Sequence, residues 1–189
     1  ASAVANQLLQ NEIAQNNQTL QHLLANFSPK IRDRLLEKSR QGRLQPGGEK
    51  SNVTILLSDL RGFTKTSATL DAEVVVNMLN DYFSVLGEQI FRYDGTIDKF
   101  IGDAIMAIFN APIPQADHAE RGIRCALELD AYAEAFRKDC NARDIPLGVT
   151  RIGIHSGLSI IGNFGSKSRM DFTALGDTVN TAARTEGVN

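Results

Sequence analysis

Two aspartates stand where strand-like runs stop or start. Asp59 follows the apolar run Val53–Leu57, and Asp103 opens the run Ala104–Phe109. If those strands are neighbours in one sheet, both carboxylates meet at one rim. Hard divalent cations that handle phosphates are commonly held by one or two carboxylates together with water and substrate oxygens. A lone aspartate at a strand end is ordinarily a turn-former. Two at one rim, near Gly62 and Gly102, weaken that plainer reading. Asn180 and Arg184 are four apart in a predicted helix and share a face. An amide and a guanidinium there can hold a ribose oxygen and a phosphoryl group, although spacing alone favours a solvated face. Lys99 and Thr173 sit in strand-like runs, where a buried polar group needs a partner; for Lys99 the plain partners are Asp98 and Asp94.

Other chemistries fail on spacing. His155-Ser156 has no GxSxG setting and no third member, so a hydrolase triad is excluded. Walker A and GxGxxG patterns do not occur. His22, His118 and Cys125 lack metal-ligand spacing and read as surface and core residues.

The elements that must position the polar groups follow from periodicity. Asp94–Phe109 predicts two strands joined by a Gly102-Asp103 turn, and the apolar arm Ala104–Phe109 belongs mid-sheet. A strand from Asn52 precedes it, with a helix over 71–91 between them. Asp117 and Glu120 resemble a capping box, predicting a second long helix to Asn141. Strands over 150–155 and 158–163 are expected to turn at Ser156-Gly157. A strand over 170–175 then leads into a helix from Asp177. This is an α+β, ferredoxin-like βαββαβ plan, with a largely antiparallel sheet and helices on one face.

Upstream, Leu9, Ile13, Asn16, Leu20, Leu23 and Phe27 are spaced 4-3-4-3-4. That fits a short coiled coil or an amphipathic helix lying on the domain. Residues 28–41 predict a helix capped by Ser28 with Pro29 first, and 45–52 predict a linker. The expected division is a helical segment, 1–44, and a catalytic domain, 45–189. Net charge is −2 with no concentrated basic face, which excludes a nucleic-acid polymer as main partner. Cys125 and Cys140 form no CxxC pair, consistent with reduced thiols in the cytoplasm. No run approaches the 18 or so apolar residues of a membrane span.

Four segments, SDLRGFT (58–64), DKFIGDAIMAIF (98–109), RIGIHSG (151–157) and DFTALGDTVNTAAR (171–184), resemble the catalytic domain of class III nucleotidyl cyclases, in order and in register. The likeness is greatest to the soluble, bicarbonate-responsive adenylate cyclases. The resemblance implies an adenylate cyclase with two divalent cations, Mg2+ or Mn2+, per site, held by Asp59, Asp103 and the Leu60 carbonyl. It implies that Lys99 and Thr173 read the adenine of ATP, that Asn180 orients the ribose and that Arg184 stabilises the transition state. The sites would form between subunits of a head-to-tail homodimer, and Thr173 implies activation by bicarbonate. Lysine at position 99 disfavours the alternative, a guanylate cyclase. A silent dimerisation or nucleotide-sensing module has no need of Asp59, Asp103, Asn180 and Arg184 together. Leu57 stands where the family often has Phe. The family carries a further triphosphate-binding lysine at a position beyond Asn189, and Lys167 and Arg169 are nearby cations.

Overall fold

The computed structural model describes residues 7, 10, 14, 27–41, 48–166 and 169–188. Helix α1 is Pro29–Arg40 and strand β1 is Gly48–Leu60, followed by the short helix α2, Phe63–Ser67, and helix α3, Ala72–Arg92. The hairpin is β2, Thr96–Ile101, and β3, Ala104–Phe109. Helix α4, His118–Ala142, leads to β4, Thr150–Ser166, then β5, Arg169–Leu175, and helix α5, Asp177–Gly187. The strands form one sheet in the order β2-β3-β1-β4-β5, every pairing antiparallel. The ferredoxin-like βαββαβ core is therefore present, with β5 added at the β4 edge.

The apolar faces sort the helices. Leu56, Leu60, Ile105, Ala107 and Phe109 pack with Met78, Tyr82, Leu86 and Ile90 of α3 and with Cys125, Leu129 and Ala133 of α4. Each fully buried aliphatic or aromatic side chain there stabilises by about 1.5–3 kcal/mol. On the opposite face, Val53, Ile55, Met106 and Ile108 pack with Ala182 and Val179 of α5. The expected single helical face thus holds for α3 and α4, while α5 takes the other face.

Three local expectations change. First, β4 runs unbroken for 17 residues, and Ser156 and Gly157 pair with Thr54 and Val53 instead of turning. Gly157 serves approach: a Cβ there would lie 2.8 Å from Thr178 Oγ1 on α5. Gly153 is closer still, with an added Cβ 2.2 Å from the Ala182 carbonyl. Second, β1 begins at Gly48, so Gly48–Asn52 of the expected linker pair with β4 from Gly162 to Leu158. Third, Asp117 makes no side-chain cap of α4; its Oδ1 accepts instead from Arg121 Nε at 2.8 Å. Ser28 does cap α1, its Oγ accepting from the Ile31 N–H at 3.3 Å. Phe27 bridges to Thr96 and, with Ile31 and Ile113, packs on Phe172. The seam positions Leu9, Ile13, Asn16, Leu20 and Leu23 lie outside the described residues, as do Gln45, Pro46 and Gly47 of the linker.

Candidate active site

β1 and β3 are neighbours, with Ser58 opposite Ile105, so Asp59 and Asp103 emerge at the same rim. The turn that delivers Asp103 has Gly102 at φ 63°. Asp103 Oδ2 accepts from the Leu60 backbone N–H at 3.0 Å, which brings the Leu60 backbone into the site. Partial burial raises the Asp103 carboxyl above its ordinary range. The neighbouring Asp59 carboxylate pushes the same way, and the Leu60 N–H opposes both. A second effect of the pair is felt at Tyr82, whose phenol is raised first by burial and then by the two carboxylates.

Such a pair of repelling carboxylates suits a hard divalent cation, whose charge would relieve the repulsion. No cluster of three or more His, Cys, Asp or Glu occurs among the described residues. The remaining ligands of a cation would therefore be backbone, water or substrate oxygens.

Arg151 is a site residue that spacing in the sequence does not mark. It pairs across the ladder with Asp59, its guanidinium 2.6 Å from Asp59 Oδ2 and 2.8 Å from Glu186 Oε1 on α5. Hydrogen bonding to Asp59 raises its pKa further, so it stays cationic. The signal that could have found it is ladder register, which pairs the last residues of β1 with the first of β4.

Lys99 and Thr173 gather at a second point, through Asp98. The Thr173 hydroxyl donates to Asp98 Oδ2, and Lys99 Nζ lies 3.4 Å from Asp98 Oδ1. β2 and β5 are the outermost strands of the sheet, so this contact requires the sheet to curl. Lys99 thus has the plain partner its sequence offered; Asp94 pairs instead with Arg121 at 2.8 Å. Burial raises the Asp98 carboxyl, with Thr173 and then Lys99 acting against that shift.

Asn180 and Arg184 stand together on the exposed side of α5, away from the buried Thr178 and Ala182. Arg184 donates to Thr181 Oγ1 at 2.7 Å and lies 3.8 Å from Asp177 Oδ1. Each group has its own partners within the chain: Asp59 and Asp103 take Arg151 and Leu60, Asp98 joins Lys99 to Thr173, and Arg184 takes Thr181 and Asp177. Lys167 lies outside the described residues.

A sequence model described as Adenylate and Guanylate cyclase catalytic domain matches residues 46–189. The chain is 42% identical over 140 residues to "Adenylate cyclase 1" of Rhizobium meliloti, covering 74% of this chain and 21% of that protein. Among solved structures, the adenylyl cyclase CyaB from P. aeruginosa is 35% identical with a TM-score of 0.72, covering 75% of this chain and 74% of that one. The guanylyl cyclase Cya2 is 39% identical with a TM-score of 0.71, covering 75% of this chain and 72% of that one. The chain spans 21%, 27% and 8% of the length of the first three curated relatives it matches.

Proposed function

We propose that this chain, which belongs to the family of adenylate and guanylate cyclase catalytic domains, converts ATP to 3′,5′-cyclic AMP and pyrophosphate. The observation that carries this reading is the meeting of Asp59 and Asp103 at the β1–β3 rim. Two divalent cations, Mg2+ or Mn2+, held there by both carboxylates and the Leu60 carbonyl, would supply Lewis acidity to the ribose 3′-hydroxyl and the α-phosphate and neutralise the triphosphate. The hydroxyl gives up its proton to water and attacks the α-phosphate in line, the bond to the β-phosphate breaks and pyrophosphate leaves. Arg184 supplies fixed positive charge as negative charge gathers on the five-coordinate phosphorus. Asn180 holds the ribose so that attack is in line. Lys99 and Thr173 read adenine. Arg151, beside Asp59, adds a guanidinium that phosphate oxygens can share.

That the three groups keep to their own partners, with Asn180 and Arg184 on the exposed side of α5, supports a site assembled from two chains. In a head-to-tail homodimer one protomer gives Asp59, Asp103 and the Leu60 carbonyl, and its partner gives the base readers and the α5 pair. Exposed apolar residues support a covered surface: Phe100 and Ile101 on β2, Leu158 and Ile160 on β4, and Leu175 on β5. No helix among the described residues is long and apolar enough to cross a membrane, and cytoplasmic action belongs to the proposal. So does activation by bicarbonate, which Thr173 alone supports. The likeness to a guanylyl cyclase favours GTP as the second reading, and Lys99 opposes it.

The test is turnover of ATP and of GTP by the purified chain with Mg2+ or Mn2+, cyclic products being separated by chromatography. ATP is the expected substrate, and bicarbonate added at fixed pH is expected to raise the rate. Asp59→Ala and Asp103→Ala should each lose at least about a hundredfold in rate, since cation Lewis acidity is worth several kcal/mol. Full activity in either variant would overturn the cation assignment. A flat bicarbonate response would remove that activation.

A further inference from the structure

β2 contains an irregularity that places its polar residues. Ile97 pairs with Ala107, but Lys99 pairs with Met106, so Asp98 is an extra residue in the ladder. In a regular strand, neighbouring side chains point to opposite faces. The bulge breaks that alternation. Lys99 falls opposite Met106, which belongs to the face away from α3 and α4, and Asp98 reaches Thr173 beside it.

The Asp98 side chain has no exposed surface, whereas that of Lys99 is 43% exposed. Oδ2 accepts the Thr173 hydroxyl, Oδ1 faces the Lys99 ammonium at 3.4 Å, and the Ala174 backbone N–H also acts on this carboxylate. Burying a carboxylate this completely is costly even when it is paired, and apolar residues in place of a buried ion pair are often neutral or stabilising. Stability alone is therefore a poor reason for Asp98 to be there.

We propose that Asp98 is the positioning residue that sets the specificity of the base pocket, acting through Thr173 and Lys99. This rests on the base-reading roles given to those two residues above. An ionised carboxylate only accepts hydrogen bonds, and a threonine hydroxyl has one proton to give. With that proton given to Asp98, Thr173 can offer a base only its lone pairs. They suit the exocyclic amine of adenine and repel a carbonyl oxygen in the same place. Lys99, drawn to Asp98, keeps donors free for the unprotonated ring nitrogen beside that amine. Guanine and hypoxanthine carry an N–H there, donor against donor. One buried carboxylate thus fixes both readers for the same purine edge.

ITP isolates that edge, because hypoxanthine differs from adenine at these two positions and lacks the 2-amino group of guanine. The experiment measures binding of 3′-deoxy-ATP and 3′-deoxy-ITP, which lack the attacking hydroxyl, by titration calorimetry, with turnover of ATP and ITP followed separately. The unaltered chain should prefer the adenine nucleotide. Asp98→Asn should shrink that preference about tenfold or more, with the change in KM rather than kcat. Thr173→Val should also shrink it, and the double variant should do little more than Thr173→Val alone, the non-additivity of a residue acting through another. If Asp98→Asn does not fold, Asp98→Ser removes the obligate acceptor with a smaller side chain and should act in the same direction. An unchanged preference in the folded variant, additive effects in the double variant, or no preference in the unaltered chain would overturn the proposal. Preference in binding without any cyclic product would leave it standing and overturn the cyclase reading instead.

Discussion

Cys125 shows how far burial alone can move a side chain's chemistry. It lies under the sheet among Leu129, Ala133 and Phe109, with no exposed surface. Burial, with a smaller contribution from Glu128, pushes its thiol from 9.0 up to about 12. The unfolded chain releases this proton near pH 9, while the folded chain holds it to about pH 12. The stabilisation is therefore complete below pH 9 and is lost as pH rises through that window, at a slope approaching about 1.4 kcal/mol per pH unit. Thermal unfolding followed from pH 8 to pH 11 should fall more steeply for the unaltered chain than for Cys125→Ala. Equal slopes would show that the thiol does not feel this burial. At this scale the sequence was informative where a side chain is out of character with its run. Asp59 and Asp103 were legible because a charge at the end of an apolar strand needs a reason. Asp98 was not, since its place depends on a bulge and on a strand 75 residues away. Arg151 was visible as a residue, but its meeting with Asp59 depends on ladder register.

Helix α5 depends for its position on the strand beneath it. Gly153 and Gly157 let its backbone settle on β4, and Arg151–Glu186 and Thr178–Leu158 tie it down at 2.8 and 2.9 Å. Asn180 and Arg184 ride on the other side of the same helix. Gly153→Ala would set a methyl 2.2 Å from the Ala182 carbonyl and 2.3 Å from the Glu186 nitrogen. Both are backbone atoms, so α5 itself must shift. The expected cost is about 1–3 kcal/mol, or a Tm lower by about 2–12 °C. Turnover assayed well below that Tm should show kcat reduced in the folded protein, because attack in line tolerates little misplacement. Calorimetry and initial rates check the two parts separately. A lowered Tm with unchanged kcat would detach the helix position from the chemistry. The close approach also explains why Ser156-Gly157 misleads as a turn. A glycine in a strand signals either a bend or a neighbouring backbone, and only the packed helix decides which.

At the scale of the whole molecule, the proposed sharing of each site between two protomers has a specific consequence. If each site takes its carboxylates from one protomer and its α5 pair from the other, Asp103→Ala and Arg184→Ala damage opposite halves. Either homodimer has two broken sites. A mixed dimer is different: one site receives both damaged halves and is dead, while the other receives Asp59 and Asp103 from the Arg184→Ala chain and Arg184 from the Asp103→Ala chain. Random pairing of equal amounts makes about half the dimers mixed, each with one intact site of two. Two nearly inactive preparations, mixed and allowed to exchange subunits, should therefore recover about a quarter of the unaltered specific activity. The recovery should require exchange, disappearing when each variant is cross-linked as a homodimer before mixing. Titrating one variant into the other should give a maximum near equal amounts, because the mixed species peaks there. A site completed within one chain predicts a different curve, flat at the residual activity for every ratio. Measuring cyclic AMP formation across that titration decides between the two, and the quarter-height maximum is specific to a dimer in which the two sites are equivalent.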